Sequence, residues 1–455
     1  MASAKLDADT RSSVDGPTIP LAVVSEDPYT NPGTYHRTQV EPDTFAFGST
    51  IVSVFQTGRS YEWGASNLGW AVSSDAGASW AQGFLPGTTI HAAPPGSWKR
   101  VVDPAVAYDA KHDSWLIMGL GTRSISRIRD PVFVSRSTDG AQTFDDPVIV
   151  ARPKHSQFFD KPWIACDNTA SSPFNGNCYA AWDDEAHHDR LLAYTSTDGG
   201  LTWIKAVAPK DPCVTGVQPV VQPNGTVVMP FFDVCEYGQG SFVSTDGGAT
   251  YSGPFDMPFF NGRKVPGGLR VPQLPSADVD GAGTIYVVWQ DCHFRDFGPG
   301  KHCTHNDIVM STSSDGRHWS SIARIPIDPR ISSVDHFLPA VAVDPTTSGP
   351  SAHLGVVYYF YPDVDCNRST CELSVGFASS IDGGTTWISQ QLAGPFQTTW
   401  FPLTSFPGYM VGDYISVSFM DGKAIPVFAV GTEGACELGD ITSCNEWIAS
   451  ATIPV

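Results

Sequence analysis

Charge is scarce in this chain, and positive charge most of all. Asp, Glu, Lys and Arg make up only 16% of 455 residues, with 27 Lys and Arg against 47 Asp and Glu, a formal charge of −20. That balance argues against a nucleic-acid partner, which calls for a basic surface. It also repels an acidic polysaccharide at long range, so an acidic substrate would need a local cluster of Arg, Lys, His or a bound cation. Long apolar runs are missing too. No stretch approaches the roughly 18–20 residues that span a bilayer, so the chain is expected to be soluble, with no membrane partner. The cysteines include no CxxC pair, which weakens a zinc reading. The start, Met1-Ala2-Ser3-Ala4-Lys5, carries no hydrophobic signal segment, and an export signal is expected to be removed or absent.

What is abundant points to turns and sheets. With 43 Gly, 36 Pro and 11% aromatic residues, the profile is that of an all-β protein. The ten cysteines fall in close pairs: Cys166 with Cys178, Cys213 with Cys235, Cys292 with Cys303, Cys366 with Cys371, and Cys436 with Cys444. Such spacing suits local disulfides that pin single loops, which implies an oxidising compartment and a secreted, extracellular protein. The sequons at Asn224 and Asn367 fit that setting.

One segment recurs. Ser196-Thr197-Asp198-Gly199-Gly200-Leu201-Thr202-Trp203 is followed by Ser244-Thr245-Asp246-Gly247-Gly248-Ala249-Thr250-Tyr251 and Ser380-Ile381-Asp382-Gly383-Gly384-Thr385-Thr386-Trp387. Looser copies centre on Asp75, Asp139 and Asp315, so the aspartates stand 48 to 69 residues apart. In each copy the Asp can accept backbone N–H groups of its own turn, the glycines permit positive φ, and the closing aromatic plugs a core. A repeat of this period predicts an array of small sheets. These segments resemble the Asp-box (BNR) repeats of sialidase-like β-propellers.

A second signal marks the start of each unit: Val40-Glu41-Pro42, Val102-Asp103-Pro104, Asp160-Lys161-Pro162, Val217-Gln218-Pro219, Val271-Pro272-Gln273, Phe337-Leu338-Pro339 and, without proline, Gly412-Asp413-Tyr414. The starts number seven and the boxes six. The last unit is one strand short, and an isolated strand at Leu21–Val24 can complete it and remove an exposed edge. The expectation is a loose arm over 1–18 and a single seven-bladed β-propeller over 19–455, closed by the N-terminal strand, with six blades as the alternative.

In such a fold the Asp boxes sit at the outer edge and serve structure. A pocket belongs at the inner-strand starts and the loops beside them. A ring of Glu41, Asp103, Asp160 and Asp413 would be costly to bury without partners such as Lys161, Arg100 and Arg270, or without a sugar or cation to bind. Carboxylates suit calcium, which makes it the one candidate cofactor; no organic cofactor is expected. His91 and His155 are candidate acid–base groups, because imidazole titrates near neutrality. Arg100 could stabilise developing negative charge and Tyr414 could assist proton transfer, which completes the catalytic candidates. The substrate-binding candidates are Asp103, Asp160, Lys161, Arg270, His336 and Asp413.

The resemblance to sialidases implies three arginines on the sugar carboxylate and an Arg-Ile-Pro motif near the first blade. Here Arg324-Ile325-Pro326 follows the Asp315 box instead. In overall layout the chain also looks like the fungal L-rhamnose-α-1,4-D-glucuronate lyases that act on gum arabic side chains. That likeness implies a secreted polysaccharide lyase, a monomer acting by β-elimination on an acidic plant glycan. A sialidase-like exo-glycoside hydrolase and a non-catalytic glycan-binding propeller are the alternatives.

Overall fold

The computed structural model describes residues 19–123, 130–154, 156–209, 213–295, 303–405, 408–433, 436 and 440–455. The expected arm over 1–18 lies outside them. Strands dominate; among the described residues the helical segments are three-residue 3-10 turns, such as Glu185–His187. None is long and apolar enough to cross a membrane.

The strands form successive antiparallel meanders in chain order, consistent with a β-propeller. Their innermost strands are Gln39–Phe47, Arg100–Asp109, Phe159–Cys166, the short pair Val214–Thr215 and Val220–Val221, then Ser276–Val279, Asp335–Val343 and Ser416–Met420. Apolar cores lie between neighbours rather than inside one sheet. Met118 and Trp182 share a core from the second and third meanders, Tyr179 and Phe231 from the third and fourth. Phe55 and Ala71 of the first pack with Val427, Ala429 and Ile448 of the last. Ala22–Val23 pairs antiparallel with Glu446–Ser450, as its apolar composition and lack of a local partner suggested.

Polar side chains tie the inner strands together, because an inner strand has backbone donors that its own meander leaves unpaired. The Asp43 carboxylate accepts from the Val106 N–H at 2.8 Å, Gln218 from Ala277 at 2.8 Å, and Asp278 from Val343 at 2.7 Å. Ser416 Oγ accepts from the Thr44 N–H at 3.2 Å, linking the last inner strand to the first.

The fifth unit starts later than Val271-Pro272-Gln273. Its inner strand begins at Ser276, and Leu274-Pro275 stands beside Lys161-Pro162, Gln218-Pro219 and Leu338-Pro339 along the central channel. Two prolines three residues apart made the register ambiguous in the sequence.

All ten cysteines are disulfide-bonded, in the pairs their spacing suggested. Cys166 joins Cys178, Cys213 joins Cys235, and Cys292 joins Cys303. Cys366 joins Cys371, and Cys436 joins Cys444. The bridges span 5 to 22 residues of sequence, so each closes a local loop. Their task is structural, and none of the ten lines the charged cavity described below.

The repeated turns behave as their composition dictates. Asp198 Oδ1 accepts from the Thr202 N–H at 2.9 Å and Oδ2 from the Thr202 hydroxyl at 2.6 Å, while Ser196 Oγ accepts from the Gly200 N–H at 2.9 Å. Asp75, Asp139, Asp246 and Asp382 repeat the pattern; in the Asp315 copy, His318 takes the place of the hydroxyl residue. Register puts these turns at the end of each meander remote from the unit starts. Cys166, Cys178 and Ser196 align at one end, whereas Phe159, Asp184 and Arg190 align at the other.

Burial of carboxyls predicts a pH profile for stability. Burial pushes Asp43 and Glu446 up to about 7, and Asp27, Asp278 and Asp335 up to about 6. A carboxyl with a raised folded-state pKa contributes stability below its unfolded value that is lost as pH rises through 6–7. His336, pushed down to about 4 by burial, has the opposite sign: its contribution is present above about 6.5 and fades toward 4. His91 and His305 are lowered by burial as well, so five carboxyls stand against three imidazoles, and melting temperature should fall between pH 5 and pH 8. A melting series that climbs steadily to pH 8 would refute that balance.

Candidate active site

The inner-strand starts carry a shared distortion. Glu41, Asp103, Lys161 and Leu338 each precede a proline, each has φ near +50° (53°, 50°, 50° and 48°), and each sits at a register shift of its inner strand. Non-glycine residues avoid this conformation unless the surroundings impose it, and bulges of this kind re-aim side chains next to binding sites. Here the bulge turns three charged side chains into one cavity. The equivalent positions elsewhere carry Gln218, Leu274 and Leu338, so charge is confined to one sector.

The cavity is about 300 Å³, at the lower end of ligand-site volumes. Glu41, Asp103, Asp160, Lys161, Arg270 and Asp413 line its floor, with Arg59, Glu62, Trp63, Phe158, Phe159 and Glu185 around them. A larger channel of about 440 Å³ runs along the inner strands, where prolines and valines alternate with polar residues such as Asp43, Gln218, Asp278 and Ser416. Lys161 and Asp413 line both spaces, and the smaller cavity adds Glu41, Asp103, Asp160, Glu185 and Arg270 beside them.

Asp413 is the anchor of the floor. Its carboxylate accepts Lys161 Nζ at 2.6 Å and Arg270 Nε at 2.6 Å. Burial alone would raise its pKa, but the two cations hold it well below the usual range. Lys161 reaches Asp103 at 3.5 Å. Burial disfavours the ammonium, yet Asp103, Asp413, Asp160 and Glu41 together push its pKa well above normal. Lys161 is therefore a fixed cation.

Asp103 and Glu41 behave differently. Burial drives Asp103 well above the carboxylate range, with Lys161 opposing and Asp160, Glu41 and Asp413 adding to the rise. Glu41 is raised by burial and then by Asp413, while it accepts from Gln56 Nε2 and from the Asp413 N–H. Two acids whose pKa burial raises thus flank a cation pair. Arg59 meets Glu446 deeper in the wall, and Arg100 pairs with Glu62 at 2.9 Å beside the Trp63 ring.

Of the residues expected from sequence, Asp103, Asp160, Lys161, Arg270 and Asp413 come together, and Arg100 stands at the rim. Tyr414 lies beneath the floor. Its hydroxyl donates to the Pro104 carbonyl at 2.9 Å, and burial pushes its pKa well above normal. Its hydroxyl keeps its proton, and that proton is committed to the Pro104 carbonyl. His91 sits in a surface turn and does not line the cavity, while His155 lies outside the described residues. His336 is 2% exposed and packs against Tyr358 and Phe360, which keeps it from any substrate. The expectation for His336 is corrected: a histidine at a unit start faces a neighbouring sheet, not the cavity. Glu446 was missed. Its only signal is one acid opening the otherwise apolar Glu446-Trp447-Ile448-Ala449.

The arginine of Arg324-Ile325-Pro326 is also remote from the cavity. It is buried between Asp307, at 2.9 Å, and Asp328. Arg59 and Arg270 are the arginines lining the cavity among the described residues, and both are already ion-paired.

No family model and no curated protein match the chain. Solved structures match at low identity. An ulvan lyase (PL25) from a new polysaccharide lyase family is 11% identical, with 93% of this chain and 95% of that one covered at a TM-score of 0.50. The intramolecular trans-sialidase from Ruminococcus gnavus, in complex with oseltamivir carboxylate, is 12% identical, with 75% and 92% covered at 0.50. The Hadza microbial sialidase Hz136 is 13% identical, with 93% and 68% covered at 0.48. The first two likenesses show a sialidase-like fold.

Proposed function

We propose that the protein is a secreted polysaccharide lyase that releases terminal rhamnose from a glucuronate residue of an acidic plant glycan by β-elimination. One observation carries the reading: a cavity that sets the fixed cations Lys161 and Arg270 beside two carboxyls, Asp103 and Glu41, whose pKa burial raises. β-Elimination needs a neutraliser for the uronate carboxylate, a base and an acid. Lys161 and Arg270, held in place by Asp413 and sharing their charge with it, would face the substrate carboxylate and stabilise the enolate-like intermediate. The C5 proton passes to an acceptor on the cavity wall, the C4–O bond breaks as the C4–C5 double bond forms, and the departing rhamnose oxygen takes a proton from a carboxyl such as Asp103.

The scaffold in this reading is one seven-bladed propeller over 19–455, acting as a monomer, with Ala22–Val23 as the outer strand of the last blade. The core shared by the first and last meanders supports closure of the ring. The disulfides and the exposed sequon asparagines Asn224 and Asn367 support secretion.

Incubation with a rhamnosyl-glucuronate glycan is expected to release rhamnose together with an equal amount of unsaturated uronate, followed by its ultraviolet absorbance. Rhamnose without that chromophore would mean hydrolysis, the sialidase-like alternative. Binding without any product would mean a glycan-binding propeller.

A further inference from the structure

The acid excess of the cavity is concentrated on one wall. Asp160 and Asp183 are directly paired residues of adjacent strands in the third meander, and Glu185 follows at the turn, its N–H bonded to the Phe158 carbonyl at 2.9 Å. One carboxylate oxygen from each of the three lies within 4.8 Å of the others. Oxygens ~2.3–2.6 Å from a common ion stand no more than about 5 Å apart, so the three fit around one hard cation. Sulfur and imidazole ligands are absent from the set, which favours calcium or magnesium over zinc.

A second observation is independent of the clustering. Asp183 is 0% exposed, and its Oδ2 has no hydrogen-bond partner; Oδ1 receives only a 3.5 Å contact from the Thr215 hydroxyl. A buried carboxylate left unpaired is costly. The nearby cations are committed elsewhere: Lys161 and Arg270 to Asp413, and Arg190 to Asp184.

The comparison within the molecule is instructive. Asp307, Asp328 and His336 also come close enough to hold an ion. That group already has Arg295 and Arg324 among its carboxylates, at 2.7 Å and 2.9 Å from Asp307. Protein cations fill that centre, and among the described residues none pairs with Asp183. Asp160 and Glu185 line the cavity, so an ion can enter from solvent.

We propose that Asp160, Asp183 and Glu185 form a binding site for one divalent cation of the calcium class in the cavity wall. The site does not depend on the sugar or on the reaction. It would offset the negative charge of the floor and leave coordination positions open toward the cavity.

The test uses the full chain stripped with EDTA and titrated with CaCl2, MgCl2 or MnCl2 alone, by calorimetry and thermal melting. The expected result is one ion per chain and a rise in melting temperature of about 3 °C at a hundredfold excess over Kd. Asp183→Asn should abolish the rise while melting at or above the parent in EDTA, since it removes a buried charge. Glu185→Gln, at an exposed position, should fold normally and weaken binding by about tenfold. Absence of any ion-dependent shift in the parent would overturn the site, as would a shift that both variants retain in full.

Discussion

Replacing Lys161 by methionine is expected to lower turnover of the glycan by about 100- to 1000-fold, the usual loss when one fixed charge-stabilising donor is removed. Methionine keeps the length and the apolar stem but withdraws the cation that lies between Asp413 and Asp103. Asp413 keeps Arg270, so the fold should survive at a cost of ~1–3 kcal/mol for the poorly compensated buried acids. Lys161→Arg should not restore turnover, because a planar fork does not fit the bulged position that directs a single ammonium at two carboxyls. Kinetics on the parent and both variants, with melting temperatures measured alongside, separate the catalytic loss from the structural one. A Lys161→Met protein that turns over at the parental rate would remove Lys161 from the site.

The second large effect is structural. Arg295 is 0% exposed and holds Asp307 through Nε at 2.8 Å, Asp328 at 2.6 Å, and the Arg330 carbonyl at 2.8 Å. Truncating one partner of a buried ion network strands the others, at ~3–5 kcal/mol. Arg295→Met should therefore lower the melting temperature by roughly 3–5 °C for a chain of this length. Arg324 stays close to Asp307 and limits the damage. Activity of the folded fraction should be unchanged, since this network is remote from the cavity. An unaltered melting temperature would contradict the assignment of Arg295 as a structural centre.

The two networks mark the boundary of what the sequence discloses. Repeated turns are legible because each satisfies its own hydrogen bonds within a few residues, so Ser196, Asp198, Gly200 and Thr202 must stay together in the chain. The cysteine pairs are legible for the same reason, since Cys366 and Cys371 or Cys436 and Cys444 meet within one loop. The unit starts are legible for a related reason: a proline after a bulged residue recurs wherever an inner strand enters. The cavity is not local. Arg270 and Asp413 are 143 residues apart, and Arg59 and Glu446 are 387 apart. Position at a unit start was enough to select Asp103, Lys161 and Asp413, because the fold repeats that position around one axis.

Chemistry alone was a poorer guide than position. The imidazole of His91 belongs to the right class of group but stands outside the cavity, and that of His336 is sealed under aromatic rings. Burial, which no short motif encodes, instead raises the pKa of ordinary carboxyls. Asp103 and Glu41 are raised first by burial, and the cations beside them are shared with Asp413. The same reasoning separates Asp183 from Asp307: both are buried acids in clusters of three, and only the arginines beside Asp307 set them apart.

The placement of the chemistry at the unit starts, remote from the repeated turns, is tested most directly by comparing Asp103→Asn with Asp198→Asn on one substrate. Both changes are isosteric, and both remove a carboxyl. The expected outcome is a loss of about 100-fold or more in turnover for Asp103→Asn, the scale of a lost general acid, with little change in melting temperature. Asp198→Asn should keep parental turnover and lose stability instead, through its bonds to Thr202. A chain that loses turnover at Asp198 and keeps it at Asp103 would contradict the assignment.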